Sequence, residues 1–187
     1  MTTEWQNRLR RVISQVNAAK SDPRLSATLP RPKGIVTADS AISILDGFED
    51  CLRYLKSRRR PLLGISDEYQ LQDFLFLMLK GSIQDLTPEN PTDRVASRFS
   101  SQDFLSKSLA LVVEAKFIRD KKHGRSVTRE LHDDIEMYRT HPSCSTLVFF
   151  LYDPQKFIPS VDALRRHIEG ERRYEGKVLT VRCLVKS

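Results

Sequence analysis

The chain has 187 residues, 40% apolar and 29% charged, with a formal net charge of +7. That size and apolar content exclude a disordered chain and allow one core-forming domain with a small appendage. No run approaches the ~20 apolar residues of a membrane span, and Met1 to Arg11 is polar rather than a secretory leader. Cys51, Cys144 and Cys183 are odd in number and lack C-x-x-C spacing, so reduced thiols in a cytoplasmic protein are expected. Positive charge gathers in Lys56 to Arg60, in Arg119 to Arg125, and at Arg165, Arg166, Arg172 and Arg173. Such clusters suit phosphate neutralisation, although solvated faces of a basic protein have the same composition.

Trp5, Leu9, Val12, Ile13 and Val16 recur at helical spacing and predict an amphipathic helix from Glu4 to Lys20. A Pro-containing link, Ser21 to Lys33, follows. Thr37 can cap a second helix whose apolar stripe is Ile42, Leu45, Phe48, Leu52 and Leu55. Residues 1–60 therefore read as a helical arm for partner, dimer or DNA contacts, and residues 61–187 as the main domain. Asp67 to Lys80 is apolar around several faces and predicts a buried helix. A polar loop with Pro88 and Pro91 leads to two runs, Ser97 to Leu105 and Leu109 to Ile118. These flank Ser106-Lys107-Ser108 like a hairpin. Ser126 to Arg139 is a predicted helix and Thr146 to Tyr152 a continuous apolar strand, a crossover long enough for parallel pairing. A short helix, Val161 to Glu169, and an alternating strand, Lys177 to Val185, complete the expectation: an α/β fold, its mixed sheet of four to five strands flanked by helices.

The chemistry concentrates in Leu111-Val112-Val113-Glu114-Ala115-Lys116. Alternate strand residues share a face, so Glu114 and Lys116 point the same way. Charged groups inside an apolar strand are costly unless paired or bound. Asp103, flanked by Phe104 and Leu105, lies on the adjoining hairpin arm and can approach Glu114. Two close carboxylates repel, and a divalent cation relieves the repulsion. Asp103, Glu114 and the Ala115 carbonyl offer the oxygen donors that Mg²⁺ or Mn²⁺ prefers, and Glu68 on the buried helix can add a carboxylate. Lys116, its pKa lowered by burial, could then orient a hydroxide or stabilise charge on a phosphate. An E-x-K strand also fits a simple cross-strand ion pair, and the residues alone leave both readings open.

From Asp67 to about Pro159 the chain resembles the PD-(D/E)xK nuclease superfamily, in particular restriction-endonuclease-like domains of bacterial defence proteins. The resemblance is carried by DEYQLQDFLFLMLK (67–80), SSQDFL (100–105), VVEAK (112–116), ELHDDIEMYRTHPSC (130–144) and LVFFLYDP (147–154). It implies a Mg²⁺-dependent endonuclease with Asp103, Glu114 and Lys116 in the core motif and Glu68 in the supporting helix. It further implies DNA as substrate, with RNA as the alternative, a homodimer or a subunit of a defence complex, and a place in anti-phage defence or restriction. Gln102 stands where the superfamily's proline would. Asp134 and Tyr138, at i and i+4, stand where some relatives place a Gln-x-x-x-Tyr pair.

Arg119, Lys121, Lys122 and Arg125 follow the E-x-K strand and read as a phosphate-contacting loop. Arg58, Arg59 and Arg60 before the acidic helix, and Arg98 beside the Asp103 strand, can extend it. Gln72, Asp134 and Tyr138 are support candidates. His123, His132, His141 and His167 lack zinc-site spacing, and no phosphate-cradling glycine loop or G-x-S-x-G elbow occurs. The competing class is a nucleic-acid-binding or scaffold subunit that keeps the fold without turnover.

Overall fold

The computed structural model describes residues 36–57, 64–88 and 103–187. The helix expected from Glu4 to Lys20, the link after it, Arg58 to Arg60, Arg98 and the strand residues ahead of Asp103 lie outside the described residues. Thr37 caps α1 (Ala38–Asp46) by a reciprocal capping box with Ser40. The predicted second helix is divided at Gly47, and α2 (Phe48–Ser57) continues its stripe through Phe48 and Leu52. Asp67 accepts a hydrogen bond from the Gln70 N–H at 2.8 Å and starts α3 (Glu68–Lys80).

Two short strands, β1 (Thr87–Pro88) and β2 (Phe104–Ser106), precede β3 (Leu111–Phe117). The turn between β2 and β3 is fixed from outside. Asp85 accepts hydrogen bonds from the Ser106 hydroxyl at 2.7 Å and from the Ser108 N–H at 2.7 Å. Helix α4 (Lys121–Arg139) returns the chain to β4 (Thr146–Tyr152). It starts five residues earlier than predicted, because Asp120 accepts from the His123 N–H at 2.8 Å and caps it. Lys121, Lys122 and Arg125 therefore belong to its first turns, and the predicted basic loop is helix. Helix α5 (Val161–Ile168), β5 (Gly170–Tyr174) and β6 (Lys177–Lys186) follow.

Among the described residues the sheet has six strands in the order β1-β2-β3-β4-β6-β5, where four or five were expected. β3, β4 and β6 run parallel, and the flanking strands pair antiparallel. The two strands missed by sequence lie at the edges. β1 is a Thr-Pro pair, tolerated where no ladder donor is needed, and β5 is charged, as edges commonly are.

One face of the sheet carries α4 and α5: Val127, Leu131, Ile135 and Leu164 join Val112, Leu147, Phe149 and Val181 in one buried cluster. On the other face Phe48 stands edge-on to Phe74, Phe150 and Tyr152, with centroids 4.8 to 5.4 Å away. Residues 38–57, grouped with an arm in the sequence reading, are thus seated on the sheet. Lys186 closes the seat with a 3.0 Å ion pair to Asp46. From Thr37 onward the described residues form one unit.

Candidate active site

The site grows from a mismatch in strand length. β2 pairs only with Leu111 to Val113, so among the described residues β3 has no strand partner on that edge beyond Val113. Backbone groups of alternate residues point to the same edge, so the edge holds the N–H groups of Ala115 and Phe117. Carboxylates take both. Asp103 Oδ2 accepts from the Ala115 N–H at 2.6 Å, and Glu68 Oε2 accepts from the Phe117 N–H at 3.2 Å. Asp103 directly precedes Phe104, the partner of Val113, so its register position is across from Glu114. Its other oxygen accepts from Gln72 Nε2 of α3 at 2.8 Å.

Helix α4 supplies the opposite wall. Asp134 and Tyr138, one turn apart, meet alternate residues of β3. Asp134 Oδ2 lies 3.0 Å from Lys116 Nζ, and the Tyr138 hydroxyl donates to Glu114 Oε1. The Asp134-x-x-x-Tyr138 pair is therefore built into the site, the acid on the lysine and the phenol on the glutamate.

Charge is strongly perturbed here. Burial pushes the Glu114 carboxyl well above the usual carboxylate range, and the negative charge of Asp103 pushes it further. The Tyr138 hydrogen bond and Lys116 oppose that shift without cancelling it. Burial raises the Asp134 carboxyl too, against the pull of Lys116. Lys116 corrects the sequence expectation. Burial alone would lower its pKa, but Asp134, then Glu114 and Glu68, outweigh burial and raise it. The lysine is held as a cation, a charge donor rather than a neutral base.

These donors fit a hard divalent cation. Two buried carboxylates disfavour each other's ionisation, and the Ala115 carbonyl lies on the same unpaired edge. Among the described residues no three His, Cys, Asp or Glu side chains are grouped to hold a metal by themselves. Asp103, Glu114 and the Ala115 carbonyl are the oxygens that could hold such a cation, with Glu68, one of whose oxygens accepts from Phe117, beside them.

Arg119, Lys121, Lys122 and Arg125 are exposed around the start of α4. Sequence reasoning passed over Arg129 and Ser126, which line the same surface. The signal was present as a cation every fourth residue, Lys121, Arg125 and Arg129, but it becomes visible only once the helix is known to begin at Lys121. His123 is buried, its Nε2 3.5 Å from Glu130. Asp153 ends β4 by accepting the Phe157 and Ile158 N–H groups, both at 2.8 Å, as a turn residue. Among the described residues no helix is long and apolar enough to cross a membrane.

The model of the DpnII-MboI restriction endonuclease family, described as REase_DpnII-MboI, matches residues 42–183. That is well over half of the chain and includes every site residue placed above. No curated protein and no solved structure matches the chain.

Proposed function

This chain belongs to the DpnII-MboI restriction endonuclease family, and we propose that it is a Mg²⁺- or Mn²⁺-dependent DNA endonuclease whose centre is Asp103, Glu114 and Lys116. The observation that carries this reading is the meeting of two buried carboxylates and a cationic lysine at the β3 segment beyond Val113, where the described residues give it no strand partner on the β2 side. DNA is the substrate class of the family. The metal, the residue roles and a part in restricting foreign DNA are our reading.

Asp103, Glu114 and the Ala115 carbonyl would hold the cation, with Glu68 as an outer carboxylate. When bound, that cation supplies a Lewis acid for the scissile phosphate and a water of lowered pKa. Lys116, kept charged by Asp134, donates to a phosphate oxygen and stabilises the negative charge that develops on it. Gln72 fixes Asp103 and Tyr138 fixes Glu114, so the carboxylates are oriented before substrate arrives. Arg119 and the cations of early α4 contact the DNA backbone, and Arg58, Arg59, Arg60 and Arg98 extend that contact. A second copy of the chain would cut the second strand, and residues ahead of Thr37 serve partner, dimer or DNA contacts.

The test incubates plasmid DNA with the protein in Mg²⁺, Mn²⁺ or EDTA, beside Lys116→Ala and Asp103→Asn variants. Cutting in either metal but not in EDTA, lost in both variants, is expected. Mg²⁺ should also raise the melting temperature of the parent and not of Asp103→Asn. A parent that binds DNA but never cuts, with no metal-induced shift, would mark a non-catalytic DNA-binding subunit instead.

A further inference from the structure

Three exposed arginines elsewhere on this protein have carboxylate partners, while Arg166 and Arg182 have none among the described residues. Arg53 meets Asp50 at 2.7 Å, Arg139 meets Glu136 at 3.4 Å, and Arg173 meets Glu171 at 3.9 Å. Lys121, Lys122, Arg125 and Arg129 are exposed without such a partner among the described residues, although acids are close by in sequence. Asp120 is engaged as the α4 cap, and Glu130 is turned to His123 at 3.5 Å. Four cations without an ion-pair partner on one helix face, with the exposed Asp133 following Arg129 in that row, raise the electrostatic free energy of the free protein, and a polyanion would lower it.

The arrangement also specifies the shape of the ligand. Lys121, Arg125 and Arg129 repeat every fourth residue and so form one row. They lie opposite the buried stripe Val127, Leu131, Ile135 and Tyr138. With Lys122 and Ser126 they line an open depression of about 540 Å³. At a rise of ~1.5 Å per residue the row is about 12 Å long, the axial length of three to four phosphates of one strand. A single phosphate needs converging donors, whereas a straight row of cations suits a straight row of anions.

We propose that this outer face of α4 is a track for the phosphodiester backbone of one DNA strand, with Arg129 at its far end and the Ser126 hydroxyl as an uncharged donor. The track begins five residues after Lys116, and it neutralises charge without reading bases. The choice of DNA as ligand rests on the nuclease reading.

Binding of a 30-base-pair duplex is followed in EDTA across a salt series, in a Lys116→Ala background where cutting cannot interfere. Each lost phosphate contact should lower the slope of log K against log salt by about 1. Arg125→Ala/Arg129→Ala should therefore lose about two units of slope and roughly tenfold or more in affinity. Arg172→Ala/Arg173→Ala removes the same formal charge from β5 and should change the slope little. Equal losses in both doubles, or no loss in the α4 double, would overturn the track. So would displacement of the duplex by inorganic phosphate at constant ionic strength, which would mark a compact anion pocket. The two readings fail separately. A parent that never cuts while the α4 double loses slope sinks the nuclease and keeps the track. A double that binds like its Lys116→Ala parent, and cuts like wild type when Lys116 is restored, does the reverse.

Discussion

The Tyr138 hydroxyl donates its hydrogen bond to the Glu114 carboxylate from the opposite side of a helix–strand interface, twenty-four residues away along the chain. Both groups are buried, so the pair ties α4 to β3 and holds the Glu114 carboxyl in place within the field of Asp103. Removing the hydroxyl with Tyr138→Phe leaves a buried acceptor unsatisfied. A loss of about 1–3 kcal/mol in urea unfolding is expected, together with weaker DNA cutting. Unchanged stability would mean that the hydroxyl has no structural share in the site.

Glu114 also sets a pH dependence. Burial, then the charge of Asp103, raises its folded-state pKa well above the unfolded value. Between those two values the folded state binds more protons than the unfolded state, so stability falls as pH rises. The slope approaches about 1.4 kcal/mol per pH unit within that window. Metal-free protein should therefore weaken steadily as pH rises from about 4.5, the ordinary glutamate range. Glu114→Gln removes the titration, so its stability advantage should widen with pH. Parallel curves for parent and variant would contradict the assignment.

Gly124 lies where α4 crosses the loop after β4. A Cβ there would sit 2.5 Å from the Phe157 carbonyl oxygen, a backbone atom that cannot swing aside. Overpacking costs about 1–3 kcal/mol, partly offset by up to ~1 kcal/mol of helix propensity. Gly124→Ala should lower stability by about 1–2 kcal/mol. It should reduce cutting more steeply, because Asp134 and Tyr138 move with the helix. An alanine variant as stable and active as the parent would show that the loop yields.

The cysteines should separate by burial. Desolvation pushes Cys144 and Cys183 both up to about 12, whereas Cys51 is exposed on α2. Iodoacetamide at pH 8 should modify Cys51 alone in the native protein and all three after unfolding, as mass spectrometry would record. Rapid native modification at Cys144 would indicate that α4 opens from the sheet.

Phe48 tests how far the domain extends towards the amino terminus. Its fully buried ring touches Phe74, Phe150 and Tyr152, so Phe48→Ala should cost about 3–5 kcal/mol. A cost near zero would return residues 38–57 to the status of a separate arm.

Sequence by itself determined the elements whose signal is local. A strand with Glu114 and Lys116 on one face, a buried helix over Asp67 to Lys80 and the parallel return to β4 follow from side-chain periodicity. Periodicity could not find β1 or β5, because edge strands bury too little to need an apolar pattern. It began α4 at Ser126, since the apolar stripe starts at Val127 while the cap at Asp120 sits in charged sequence. It also gave Lys116 the wrong direction of pKa shift. Burial of a lysine can be estimated from a strand, but the carboxylate that outweighs burial comes from Asp134, eighteen residues later on another element. Only the tertiary structure decided which groups pair across the β3 edge. Such pairing depends on the ångström-scale placement of segments far apart in the chain, and no spacing within one segment encodes it.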